Sequence, residues 1–215
     1  MIVITGASSG LGLQVAKLYK EAGKTVVNIS RRECEYADVN ICLSLREGDE
    51  INKAAEHVLS LHEPLETIIN CIGVFNNQKF GEITEDEVKR LLSTNLKAPA
   101  LLASLLIERI KSDETDVLNV LSTAAVRFKA TEPLYVASKW AARGLTLSLQ
   151  DELRKTKCRV ISFCPGGMKT DFFEKAQVEN DTESFMDPLD IAKTIKYILD
   201  LPKNIEVSEI ILNRK

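Results

Sequence analysis

The sequence predicts an α/β fold: a single doubly wound Rossmann-type domain with a central parallel sheet of about seven strands and helices on both faces. Short β-rich runs alternate with longer stretches that have apolar residues at helical spacing. Several of the short runs are apolar throughout, as expected where helices cover both faces of a sheet. Strands are expected at Ile2–Thr5, Thr25–Ser30, Asn40–Leu45, Thr67–Asn70, Val117–Leu121, Arg159–Phe163 and Glu209–Leu212.

Amphipathic stretches fill the intervals between these runs. Helices are expected at Leu11–Ala22, Asp49–Leu59, Glu85–Leu92 continuing to Ile110, Tyr135–Lys155 and Leu189–Leu199. Because the sequence shows no repeat or linker, one domain over residues 1–215 is expected. The least regular stretch, 169–187, has the length of a mobile loop and is predicted to cover the substrate. Residues 32–40 are too few for a full helix between the second and third strands.

Composition excludes several classes of function. The formal net charge is −3 and no stretch of 18 apolar residues occurs, so neither a nucleic-acid partner nor a membrane is expected. The five cysteines are scattered, and the chain has only two histidines. This pattern indicates free thiols in a reducing cytoplasm rather than disulfides or a metal site.

A glycine-rich turn joins the first strand to the first helix. Its glycines have the spacing Gly-x-x-x-Gly-x-Gly. Glycines allow the backbone to approach a pyrophosphate, and the following helix offers free N–H groups. The alternative is a purely structural turn. The candidate cofactor-binding residues here are Gly6, Ser8, Ser9, Gly10, Leu11 and Gly12.

The end of the second strand indicates which nucleotide binds. NAD-binding chains usually place a carboxylate there, whereas this chain continues from Ser30 to Arg31 and Arg32. Guanidinium groups suit a 2′-phosphate, so NADP(H) is favoured and NAD(H) is the second possibility. The alternative is that both arginines are solvated surface residues.

Tyr135 and Lys139 are four residues apart in a predicted helix and therefore share one face. A nearby ammonium group lowers the pKa of a phenol, which could then act as a general acid or base. Ser122 lies thirteen residues upstream, at a strand end where α/β sheets bind their ligands. It could bind a substrate oxygen or simply cap a helix or turn.

Together these residues resemble the classical short-chain dehydrogenase/reductase family over essentially the whole chain. The matching motifs, in chain order, are the turn Thr5–Gly12, the segment Asn70-Cys71-Ile72-Gly73, Asn95, Ser122, Tyr135 with Lys139, and the segment Pro165–Thr170. Cys71 and Ile72 depart from the family's Asn-Asn-Ala-Gly segment. Leu43-Ser44-Leu45 replaces its Asp-Leu/Val motif after the third strand, for which Asp38-Val39 is a possible shifted equivalent.

The resemblance implies a role for each residue. Tyr135 would exchange a proton with the substrate oxygen, and Ser122 would hold that oxygen. Lys139 would bind the nicotinamide ribose and lower the pKa of Tyr135, and Asn95 would hold a water in the proton relay. Further cofactor contacts would come from Asn70, Gly73, Pro165, Gly166, Met168 and Thr170, together with Tyr135 and Lys139.

The expected function is interconversion of a carbonyl compound and an alcohol with NADP(H), in a homodimer or homotetramer. The alternative is a non-catalytic NADP(H)-binding regulator or scaffold on the same fold. An apolar substrate is expected, although each of the residues concerned could instead pack the core. The candidate pocket residues are Phe128, Leu134, Met168, Phe172, Phe173, Phe185 and Met186.

Overall fold

The computed structural model of the chain describes residues 1–176 and 183–215. Its centre is a sheet of seven strands, all parallel, in the order β3-β2-β1-β4-β5-β6-β7. The strands are β1 Ile2–Thr5, β2 Val26–Ser30, β3 Val39–Cys42, β4 Thr67–Asn70, β5 Asp116–Val120, β6 Val160–Pro165 and β7 Glu209–Leu212. All seven predicted strands are therefore confirmed, with ends shifted by at most three residues.

The predicted helices are present as well. They are α1 Gly10–Glu21, α2 Gly48–Ser60, α3 Glu85–Leu92, α4 Ala98–Ser112, α5 Pro133–Leu153 and α6 Pro188–Leu199. A π-helical segment, Ser93–Lys97, joins α3 to α4, and Thr123–Ala125 and Glu174–Ala176 are short 3₁₀ turns.

Side chains from β1 show how helices come to cover both faces of the sheet. Ile2 and Ile4 belong to the core beneath α1 and α6, whereas Val3 belongs to the core beneath α2 and α4. This alternation is the period of two expected of a strand buried on both sides. The doubly wound Rossmann-type architecture is confirmed.

The helical run Glu85–Ser112 is long and apolar enough, by length and composition, to cross a membrane. Leu102, Leu106 and Ile110 in its second half are buried in the core against the sheet. These three side chains therefore contribute to the core on one face of α4.

The connection between β2 and β3 contains no helix, as predicted. Asp38 lies at the amino end of β3, where it accepts a hydrogen bond from the Val26 backbone N–H at 2.9 Å and pairs with Lys20. Asp38-Val39 is therefore not the shifted equivalent of the Asp-Leu/Val motif, because it lies at the amino end of β3, away from the glycine turn. The segment that follows β3 at its other end is Leu43–Arg46.

A row of buried polar side chains crosses the sheet just below its carboxyl edge. The Thr5 hydroxyl donates to Asn70 Oδ1 at 3.3 Å, and Asn70 Nδ2 donates to Asn119 Oδ1 at 2.7 Å. Asn119 Nδ2 in turn donates to the Thr146 hydroxyl of α5 at 2.9 Å. The row fixes α5 against β1, β4 and β5, because each buried polar group needs its partner.

Replacing Asn119 with Ala removes the centre of this row. We expect the free energy of unfolding to fall by about 2–3 kcal/mol, since buried partners lose their hydrogen bonds and a small cavity opens. Urea denaturation measures the change, with Asn52→Ala on the exposed face of α2 as the matched control. Equal stability of the two variants would show that the row is not needed.

Candidate active site

The carboxyl ends of the strands open into a cleft of about 1670 Å³. Parallel strands all present their carboxyl ends at one edge, where doubly wound sheets bind their ligands. The glycine turn, the segments after β2, β3, β4, β5 and β6, and the start of α5 all line the cleft.

The glycine turn is shaped for a phosphate group. Gly6 and Gly10 have φ values of +75° and +56°, a region that side chains disfavour. A Cβ atom on Gly12 would lie 2.4 Å from the Gly6 carbonyl oxygen, so only glycine fits at that position. The first turn of α1 has no side-chain cap and no acidic residue. Its N–H groups and positive dipole end therefore suit an anionic ligand.

Guanidinium groups gather on the β2 side of this turn. Arg31 and Arg32 are exposed and line the cleft, as predicted. Arg46, which sequence reasoning missed, lines the same part of the cleft from the segment after β3. The sequence could have indicated Arg46, because it follows a strand predicted to lie in the same parallel sheet as β2. The structure pairs β3 with β2, and both strands end at the same edge.

Ser122, Tyr135 and Lys139 meet on the cleft wall. The Ser122 hydroxyl accepts a hydrogen bond from the Ala124 N–H at 3.1 Å. It also lies near enough to Tyr135 to lower the pKa of the phenol. Ser122 thus caps a short 3₁₀ turn, as one of its two predicted roles requires, and it also lines the cleft. Lys139 Nζ lies 5.8 Å from the centre of the Tyr135 ring and donates to the Val120 carbonyl at 3.3 Å.

Burial dominates the electrostatics of this pair. Burial raises the pKa of Tyr135, against the hydrogen bond from Ser122, and the negative charge of Glu132 raises it further. Burial also lowers the pKa of Lys139 to about 8. The phenol pKa is therefore raised where a lowered value was expected, because desolvation outweighs the neighbouring groups; Lys139 is not among the groups that shift it.

Asn95 lies behind the wall rather than on it. Its Oδ1 accepts from the Val74 N–H at 2.9 Å, and its Nδ2 donates to the Val74 carbonyl and the Ser138 hydroxyl, each at 3.0 Å. The side chain therefore ties the π-helical segment to the end of β4 and to α5. Ser138 was missed by sequence reasoning, although it directly precedes Lys139. The Asn95 side chain therefore has a positioning role, and the expectation that Asn95 holds a water in the proton relay stays a prediction.

The other predicted cofactor residues divide into two groups. Gly73, Pro165, Gly166, Met168 and Thr170 line the cleft. Thr170 lies directly beside Gly10, where a Cβ atom would be 3.4 Å from its Cγ2. Asn70 is not on the wall, and both polar atoms of its side chain are engaged by Thr5 and Asn119. Asn70 thus holds strands together instead of contacting a cofactor through its side chain.

Aromatic rings form the wall next to Tyr135. Phe75, missed by sequence reasoning, lies 4.8 Å from Tyr135 and 5.0 Å from Phe173 between ring centres, and Phe173 lies 5.5 Å from Phe185. Phe128, Met168 and Phe172 also line the cleft, whereas Leu134 and Met186 do not. Within the predicted substrate loop 169–187, residues 177–182 lie outside the described part of the chain.

A glycine turn at a helix N-terminus on a doubly wound sheet, with serine, tyrosine and lysine at the carboxyl edge of the sheet, is the arrangement of a Rossmann-fold oxidoreductase. The chain belongs to the short-chain dehydrogenase family, whose model matches residues 1–181. Members of this family are oxidoreductases that use NAD(P)(H). The resemblance inferred from the motifs is thereby confirmed.

Relatives extend the match over the full chain. A short-chain dehydrogenase/reductase from Vibrio parahaemolyticus is 32% identical, with a TM-score of 0.87 and complete coverage of both chains. A short-chain dehydrogenase from Streptomyces avermitilis is 25% identical, with a TM-score of 0.86, covering 99% of this chain and 88% of that one. An uncharacterised oxidoreductase from Staphylococcus aureus strain N315 is 28% identical and covers 97% of this chain and 94% of its own.

Replacing Lys139 with Met should make the protein more stable at pH 7, by about 2–3 kcal/mol. With a folded pKa near 8 and an unfolded value of 10.5, the unfolded chain binds more protons between these values. Wild-type stability therefore rises across that window, and the advantage of K139M shrinks as pH rises from 8 to 10. Thermal unfolding at several pH values measures this, with exposed Lys155→Met as the control. A pH-independent difference would contradict the account.

Proposed function

We propose that this protein is an NADP(H)-dependent oxidoreductase that interconverts a carbonyl compound and an alcohol, with Tyr135 as the general acid and base. The observation that carries the proposal is that Ser122, the buried Tyr135 phenol and Lys139 line one wall of the cleft. The alternative of a non-catalytic regulator is not favoured, because a nucleotide sensor has no use for this arrangement.

Each side chain has a definite task in the reduction. The bound nicotinamide supplies the hydride. Ser122 holds the carbonyl oxygen, and Tyr135 donates a proton to it. The phenol is protonated at neutral pH, and because burial raises its pKa it needs a neighbouring positive charge to donate its proton readily. Lys139, charged below about pH 8, stabilises the phenolate that forms.

A preference for NADP(H) over NAD(H) is supported by charge. Arg31, Arg32 and Arg46 line the β2 side of the cleft, and among the described residues no carboxylate lines that side. Guanidinium groups bind a phosphate dianion through charge-assisted hydrogen bonds, whereas the ribose hydroxyls of NAD would usually meet an acidic residue.

We also propose the domain organisation, the location and the oligomeric state of the enzyme. We take residues 1–215 as one catalytic domain, with the segment 169–187 covering a largely apolar substrate. Five free cysteines fit a cytoplasmic protein. Leu105, Trp140 and Leu147 on α4 and α5 are 41%, 43% and 38% exposed, which supports pairing of these helices in a homodimer or homotetramer.

Replacing Tyr135 with Phe should lower kcat by about 10²–10⁴-fold, because the proton donor is lost while the ring packing stays. The Kd for NADPH should stay within about twofold of the wild-type value. Tyr197→Phe, on an exposed side chain, is the matched control. Turnover is followed by NADPH absorbance over a panel of carbonyl compounds. Unchanged turnover by Y135F would rule out this mechanism.

Replacing Arg31, Arg32 and Arg46 singly with Ala should weaken NADPH binding by about tenfold each, the effect of losing one charged hydrogen bond. NADH binding should change by less than about twofold, since its ribose carries no phosphate. Fluorescence titration gives both Kd values, and exposed Arg154→Ala is the control. Equal losses for the two cofactors would refute the assignment.

A further inference from the structure

The chain that follows β7 points to the substrate class. Resting on the proposed function, we propose that the substrate carries a negatively charged oxygen group, a carboxylate or a phosphate, bound by Arg127 and Arg214. Its carbonyl lies at Tyr135, and an apolar body spans the aromatic wall between them.

These two arginines lie far from the cofactor arginines. β7 is the edge strand opposite β3, five places from β2, or about 24 Å at the usual strand spacing. Because β7 is parallel to the others, the residues after it, Asn213–Lys215, continue into the cleft and line it. A phosphate bound at Arg31 therefore cannot also reach Arg214.

Arg214 is held in place by an aromatic platform. Its guanidinium carbon lies 4.4 Å from the centre of the Phe185 ring, a cation–π contact. Phe185 itself is packed on Gly167, where a Cβ atom would lie 2.7 Å from the ring. Within the described residues no carboxylate forms an ion pair with Arg214. Its charge is therefore available to a ligand.

Arg127 supplies a second guanidinium at the same place. It lies five residues after Ser122, and its Nη2 donates to Asn213 Oδ1 at 2.8 Å. The Trp140 indole donates to its backbone carbonyl at 3.2 Å, which fixes the segment against α5. Because Asn213 is neutral, Arg127 is positioned but keeps its full charge. Two guanidiniums on adjacent chain segments suit an anionic group with two or three oxygens.

The aromatic wall connects this cationic pair to the reacting groups. Phe185, Phe173 and Phe75 are in successive ring contact, and Phe75 packs edge-on against Tyr135. An apolar substrate body fits along these rings with its carbonyl at Ser122 and Tyr135. Its charged end then falls at Arg214, which lies over the outermost ring.

Other charges on the cleft do not cancel this attraction. Glu132 is held by Lys129 at 3.3 Å, and Asp171 has its own interaction within the protein. Lys139 is buried beneath Tyr135. The surplus of positive charge here contrasts with a net charge of −3 for the whole chain. A cleft of opposite sign to the surface attracts anions selectively.

The test uses three ketones in which an aryl group and a short chain separate the carbonyl from the end group: 4-(4-acetylphenyl)butanoate, its methyl ester, and 4-(4-acetylphenyl)butyl phosphate. With NADPH, we expect kcat/KM for one of the anions to exceed that of the ester by at least tenfold, and the favoured anion identifies the natural group. Arg214→Gln and Arg127→Gln should each raise KM for that anion by about 10–50-fold, as for loss of a charged hydrogen bond. Their kcat and their KM for the ester should be unchanged.

Arg154→Gln, on the exposed end of α5, is the matched control and should leave every constant unchanged. Thermal unfolding confirms that the variants are folded. Equal use of all three ketones, with no effect of R214Q or R127Q, would overturn the inference and leave the proposed function standing.

If none of the ketones is reduced, the proposed function fails for this skeleton and binding decides the inference. Calorimetry then compares 4-phenylbutanoate, its methyl ester and 4-phenylbutyl phosphate on the protein with NADP⁺. Tighter binding of an anion that is lost in R214Q supports the inference. Equal binding of all three probes overturns it.

Discussion

The buried row from Thr5 through Asn70 and Asn119 to Thr146 is the constraint on which the site depends. Its hydrogen bonds join three adjacent strands to α5 beneath the carboxyl edge. In the low-dielectric interior an amide without a hydrogen-bond partner costs free energy. The row therefore favours the one arrangement of strands and helix in which every amide is paired. That arrangement sets where α5 presents Tyr135 and Lys139. Asn95 completes the support from the other side by bonding Val74 and Ser138.

This support allows two ionisable side chains to be buried. Tyr135 and Lys139 are 6% and 4% exposed, and burial moves their pKa values in opposite directions. The uncharged form of each group is favoured, so the phenol stays protonated at neutral pH and the ammonium group is near its titration range. Such a site lowers the stability of the fold, and the rigid polar row beneath it offsets that loss. Tyr135 and Lys139 are thus the residues that both lower the stability of the fold and are proposed to transfer the proton.

Sequence predicted those features that local patterns encode. The seven strands and the glycine turn follow from short apolar runs and from positions that only glycine can occupy, such as Gly12. The positions of Ser122, Tyr135 and Lys139 on one wall followed from spacing and strand ends. Phe75, Arg46 and Arg214 were missed, because they reach the cleft through strand order and loop direction. The direction of the Tyr135 pKa shift was also missed, since burial depends on packing between distant segments. Asn70 and Asn95 were found as residues, but their side chains serve the framework.

The residues that hold the fold together and the residues that line the outer cleft belong to different segments of the chain. Every residue of the polar row lies in a strand or in α5. Arg127, Phe185 and Arg214 belong instead to the segments after β5, β6 and β7, which contact the row through no hydrogen bond among the described residues. Substitutions in these segments can change the charge and shape of the outer cleft without moving Tyr135. Because a pocket built to pair with a charged group rejects analogues that lack it, we expect these outer arginines to discriminate between substrates more strongly than the aromatic wall alone. Under the proposed function, Ser122, Tyr135 and Lys139 define the reaction, and the segments after β5, β6 and β7 define which carbonyl compound undergoes it.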